Sequence, residues 1–169
     1  MRLPSTSDYS LAQKAAHWLV LGLCILQFPT ATAIQRTHTV NPFGLKPAPL
    51  DLLFHKVHAW SGWTILLLAI VLLALHLFRG APRLPQAMSA WQRWLAHAMH
   101  LCLYAGVLAL AVTGTGAMYL SRGFAPFHVL LTKIGIVLVA LHAAAALWHQ
   151  FMRRDGLLQR LLPGFRDNP

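Results

Sequence analysis

Long apolar runs alternate with short polar breaks along this chain, and the runs decide its architecture. Four stretches contain no Asp, Glu, Lys or Arg: Ala15–Gln35 (21 residues), Val57–Phe78 (22), Leu95–Ser121 (27) and Ile134–Met152 (19). A helix needs about 20 predominantly apolar residues to cross a bilayer. The last run reads as reaching upstream to Phe124, with Lys133 as its one interior charge. The pattern predicts an all-α fold, a four-helix transmembrane bundle in one domain, with spans at about residues 9–35, 52–79, 92–121 and 124–153.

Proline and glycine mark the connections. Residues 36–54, with Pro42, Gly44, Pro47 and Pro49, read as the long loop. Arg79–Trp94 joins spans two and three, and Ser121-Arg122-Gly123 is a tight turn into span four. Pro29 followed by Ala31-Thr32-Ala33 imitates a signal-peptide cleavage site. The segment is nevertheless expected to be a true first span.

Orientation follows from the basic residues beside the spans. The N-terminus, the 79–94 loop and the tail hold nine: Arg2, Lys14, Arg79, Arg83, Arg93, Arg153, Arg154, Arg160 and Arg166. The opposite side holds five: Arg36, Lys46, Lys56, Arg122 and Lys133. Both termini are therefore expected to be cytoplasmic.

Composition narrows the chemistry. The chain is 57% hydrophobic and 11% charged, with 14 Lys+Arg against 4 Asp+Glu, a formal charge of +10. The basic residues punctuate apolar runs and form no patch interleaved with aromatics, which argues against nucleic acid as a partner. No Glu is present, which excludes HExxH proteases and carboxylate-bridged di-iron sites. The only cysteines, Cys24 and Cys102, lie in separate apolar runs, so no CxxC metal site and no disulfide framework is available. The six tryptophans cluster near span ends, as an aromatic belt does.

Ten histidines in so apolar a chain are unusual. Ionisable residues inside a membrane are costly and tend to be functional. Neutral imidazole is a natural axial ligand of haem iron, and without a CxxCH motif the haem would be non-covalent, b-type. His128 and His142 lie 14 residues apart in span four. In a left-handed bundle with about 3.5 residues per turn that spacing returns to the same face, with a rise of roughly 21 Å. One helix thus offers a ligand near each side of the bilayer. His17 lies near the start of span one and His58 near the start of span two, which runs the other way. Depth therefore pairs His17 with His142 on the cytoplasmic side and His58 with His128 on the other.

These features resemble the bacterial cytochrome b561 family over nearly the whole chain. The resemblance rests on KAAHWLVLGL in span one, KVHAWSGWTIL in span two, LAHAMHLCLYAGVLALAVTG in span three and FHVLLTKIGIVLVALHAAAALWHQF in span four. It implies two haem b groups held by His17, His142, His58 and His128. It further implies a multi-pass protein of the inner membrane, in contact with lipid, with a ubiquinone site at the cytoplasmic haem. His149 and Arg83 are the candidate quinone contacts. The periplasmic donor it implies is superoxide or a periplasmic redox protein, so the expected activity is that of a superoxide:ubiquinone oxidoreductase. The alternative is a haem-bearing electron-transfer or anchor subunit of a larger dehydrogenase or hydrogenase complex.

The other histidines carry open readings. His55 is a surface residue, a substitute ligand or a proton carrier. His97 and His100 share one face of span three and suit helix–helix hydrogen bonding or contact with haem propionates, with iron ligation as the alternative. His76 reads as interfacial and His38 as an exposed loop residue. His149 is interfacial if it is not a quinone donor.

Overall fold

A computed structural model describes residues 5–6, 9–40, 44, 46–82 and 88–162. The order of elements is β1 (Ser5–Thr6), α1 (Leu11–Val40), α2 (Pro49–Arg79), β2 (Ala81–Pro82), α3 (Ala90–Tyr119) and α4 (Ala125–Trp148). All four helices are long and apolar enough to span a bilayer. Among the described residues, the only strand pairing is the parallel two-residue bridge between β1 and β2.

Local chemistry sets the helix ends. Ser89 caps α3 with a full capping box: its hydroxyl accepts from the Gln92 backbone N–H, and the Gln92 side chain accepts from the Ser89 N–H. Pro49 opens α2 where its missing N–H costs nothing, and Gly80, at φ 79°, closes it. Between α3 and α4 a single 3-10 turn, Arg122–Phe124, suffices, with the Ser121 hydroxyl accepting from the Gly123 N–H. Gly116 makes this corner possible, because a Cβ there would meet the Phe124 ring at 2.8 Å. α4 ends in a π-helical turn, His149–Arg153, closed by Arg154 in the left-handed region at φ 52°.

One boundary differs from the sequence reading. Residues 36–40 and 49–54, assigned above to a loop, are helical. Arg36 marks where the apolar run stops, but the helix continues into water. The Arg36 guanidinium donates to Asp51 Oδ1 from Nε (3.0 Å) and Nη2 (2.6 Å), tying the projecting end of α1 to the start of α2. His38 accordingly sits on the last turns of α1.

The helices pack as two antiparallel hairpins, α1 along α2 and α3 along α4, with α2 touching α3 between them. The α1–α2 seam is built from small side chains. Thr30, Ala33 and Thr37 recur on one face of α1, and Ser61, Ile65 and Ala69 on one face of α2, all buried. Small residues let backbones approach closely where no hydrophobic force separates helix from lipid. The Thr30 and Thr37 hydroxyls are spent on their own helix, donating to the Leu26 and Ile34 carbonyls at 2.8 Å. Large apolar side chains such as Leu67, Ile70, Val129 and Val137 face outward, as the bilayer requires. α4 has no buried residue along its length, so its inner face is not closed against α1 or α2 by side-chain packing.

The seam generates a stability prediction. Ala33 is 0% exposed. Ala33→Leu should destabilise the bundle by about 1–3 kcal/mol through overpacking. Leu67→Ala, on the lipid face, should change stability by less than about 0.5 kcal/mol. Unfolding midpoints in detergent check this, and equal shifts for the two variants would place the seam elsewhere.

Candidate functional site

Histidines bridge the space between the two hairpins at both ends of the bundle. Away from the termini, His58 of α2 faces His128 of α4, with ring centroids 6.4 Å apart and planes at 77°. At the end carrying the termini, His17 of α1 faces His142 of α4 at 6.3 Å and 50°. The four side chains singled out in the sequence thus come together two by two. Both pairs use α4, and 14 residues of helix separate them by roughly 21 Å.

In the pair away from the termini, His128 is held in a defined tautomer. His128 Nδ1 lies 3.0 Å from the Leu110 carbonyl oxygen, which can only accept, so this nitrogen carries the hydrogen. The Thr113 hydroxyl lies 3.2 Å from the same nitrogen and donates its own hydrogen to the Ala109 carbonyl at 2.8 Å. His58 Nδ1 lies 3.1 Å from Thr30 Oγ1. With Nδ1 of His128 protonated, Nε2 of that ring keeps its lone pair free to bind a metal. Gly114 allows His128 to lie against α3, since a Cβ there would come within 3.0 Å of Cε1. Gln27 braces the start of α2, donating to Ser61 Oγ at 3.1 Å and to the His58 carbonyl at 3.3 Å.

The end carrying the termini is richer in imidazole. His100 of α3 approaches His142 edge-on, centroids 5.2 Å apart at 86°, and its Nδ1 lies 2.7 Å from the Ala96 carbonyl. His76 is within electrostatic range of both His97 and His100. The tail folds back across this end: Trp18 Nε1–H donates to the Leu161 carbonyl at 2.9 Å. His149 Nδ1 meets Asp155 Oδ2 at 2.5 Å, both side chains being mostly covered, with 16% and 15% exposure. Asp155 was not singled out from the sequence. It lies six positions beyond His149, outside α-helical periodicity, and only the π turn and the left-handed Arg154 bring it back. Thr30 and Thr113 were also missed; a threonine inside an apolar span opposite a histidine is the signal that could have found them. Arg83 lies outside the described residues.

The donor set fits haem. Imidazole nitrogens bind transition metals at about 2.0–2.1 Å, and a ring centroid lies about 1.1 Å behind its nitrogen. Two imidazoles facing across one metal therefore have centroids roughly 6.3 Å apart, as both pairs do. Among the described residues no three His, Cys, Asp or Glu side chains converge on a metal-binding position. Paired imidazoles with a macrocycle supplying the remaining positions suit this arrangement.

Comparison with known proteins agrees. The family model for prokaryotic cytochrome b561 matches residues 8–164. The probable superoxide oxidase CybB of Yersinia pestis is 25% identical over 177 residues, covering 92% of this chain and 96% of the relative. Cytochrome b561 homolog 1 of Escherichia coli strain K12 is 28% identical, with 92% and 97% covered. Cytochrome b562 of Cereibacter sphaeroides is 25% identical over 158 residues, with 91% and 94% covered. The chain belongs to the prokaryotic cytochrome b561 family and is a multi-pass bacterial membrane haem protein.

Proposed function

We propose that this protein is a dihaem b-type cytochrome that carries electrons across the inner membrane from superoxide to ubiquinone. His17 and His142 would hold the inner haem and His58 and His128 the outer, with both termini cytoplasmic. The observation that carries this reading is the pair of facing imidazoles at each end of one helix. Haem bound between them supplies a one-electron carrier with no open iron position. Overall, two superoxide anions each lose one electron to give two O₂, and one ubiquinone takes two electrons and two protons to give ubiquinol.

The residues of this chain then have separable tasks. Thr30, Leu110 and Thr113 fix the outer rings, and the Nδ1 hydrogen bond to Leu110 raises the basicity of His128. At the inner edge a quinone carbonyl gains negative charge as it is reduced, and a positioned donor stabilises it and delivers the proton. His149 is placed for that, about 10 Å of helical rise beyond His142, and Asp155 orients its ring through the contact at Nδ1. Arg83 is the proposed basic contact from the 79–94 loop. Outside, Arg36 is neutralised by Asp51, which leaves the exposed Lys46, Lys56, Arg122 and Lys133 to draw in a small anion. The name of the Yersinia pestis relative supports superoxide as the donor.

Two outcomes are expected. His58→Ala should remove the outer haem and largely spare the inner, read from the low-temperature α-band. Retention of both at full occupancy would break the pairing. With both haems intact, His149→Gln should slow ubiquinone reduction by about tenfold or more, and Asp155→Asn should act in the same direction by a smaller factor. Unchanged rates would remove the dyad from the site.

The outer reaction makes a further demand. Haem reduction by superoxide, followed by stopped flow, should outrun spontaneous dismutation and should slow as the screening length falls from about 30 Å at 0.01 M salt to about 3 Å at 1 M. Slow reduction indifferent to salt would point to a protein donor.

A further inference from the structure

One further pair of neighbouring histidines stands apart from the four proposed as haem ligands and from His100. His38, near the end of α1, and His55, near the start of α2, bring their ring centroids to 5.6 Å with planes at 60°. Their helices are antiparallel neighbours, and the Arg36–Asp51 ion pair holds the same two ends together one turn away. His38 is exposed and His55 half-buried, so water reaches the pair. The Nδ1 atoms of His58, His100, His128 and His149 are engaged in hydrogen bonds. Among the described residues neither His38 nor His55 spends a ring nitrogen in this way.

The separation is informative beside the other two. Centroids roughly 6.3 Å apart correspond to two nitrogens on opposite sides of one metal, whereas a tetrahedral angle brings them to about 5.2 Å. The value of 5.6 Å lies between these limits, nearer the tetrahedral one. Two rings at this separation can each turn one nitrogen onto a small ion. Imidazole selects transition ions over the oxygen-seeking Ca²⁺ and Mg²⁺, with Cu²⁺ ahead of Zn²⁺ in affinity. Asp51 is one turn before His55, but its carboxylate is committed to Arg36. Water is left to complete the coordination.

We infer that His38 and His55 form a surface site for a divalent transition ion, Cu²⁺ or Zn²⁺, which clamps the projecting end of α1 onto α2 one turn from His58. The ion binds the folded site more tightly than the unfolded chain, so it raises the thermal midpoint as the free-ion concentration rises.

The full haem-loaded protein, purified through a histidine-free tag and stripped with a chelator, is titrated with CuCl₂ and read by electron paramagnetic resonance. One Cu²⁺ per chain with two nitrogen ligands should saturate at low micromolar metal. His38→Ala and His55→Ala should each lose this signal while the haem spectrum stays unchanged. In the unmutated protein, ZnCl₂ should protect both rings from diethyl pyrocarbonate, read by peptide mass spectrometry, a measurement that requires no variant to fold. A two-nitrogen copper signal that survives either substitution, saturation only at millimolar metal, or equal modification of both rings with and without Zn²⁺ would overturn the site.

Discussion

A neutral imidazole inside an apolar bundle has two nitrogens to account for, and the hydrogen bond at one determines what the other can do. The contact between His128 Nδ1 and the Leu110 carbonyl, 3.0 Å long, is the point on which the outer end of this protein turns. It connects α4 to α3 and fixes the tautomer, with Nδ1 carrying the hydrogen. Gly114 and Thr113 are adjuncts to that bond, one by leaving room and the other by lining the ring. The partner ring is held from α1, through Thr30, so each hairpin orients the histidine its own second helix presents. Ligand geometry is therefore a property of the hairpins rather than of the interface between them.

That division explains the uneven packing. The small-residue seam makes α1 and α2 a tight unit, while α4 is left without buried residues on the side that carries His128 and His142. A conventional close-packed four-helix core would have no place for a planar group some ten ångströms across. Here the histidine pairs cross the space that side-chain packing does not fill.

The spans were legible in the sequence because charge-free runs of the right length have few alternatives. The pairing of depths was legible because a 14-residue spacing on one helix and alternating span directions leave little freedom. The end of α1 was not, since Arg36 marks where lipid contact stops rather than where helical hydrogen bonding stops, and His38 was assigned to a loop for that reason. Asp155 escaped because a π turn and a left-handed residue break the period on which sequence arithmetic relies. Thr30 and Thr113 escaped because a hydroxyl in an apolar span is ordinarily satisfied by its own helix, as these are, and only the side-chain geometry reveals the second partner.

The central claim is that one helix holds two haems, one toward each face of the membrane. The haem-to-polypeptide ratio of the purified protein, from pyridine haemochrome absorbance against quantitative amino-acid analysis, tests it most directly. The account predicts two b-type haems per chain, both released by acidified acetone because neither is covalently attached. A ratio of one in fully loaded protein, or haem that stays with the polypeptide, would contradict it.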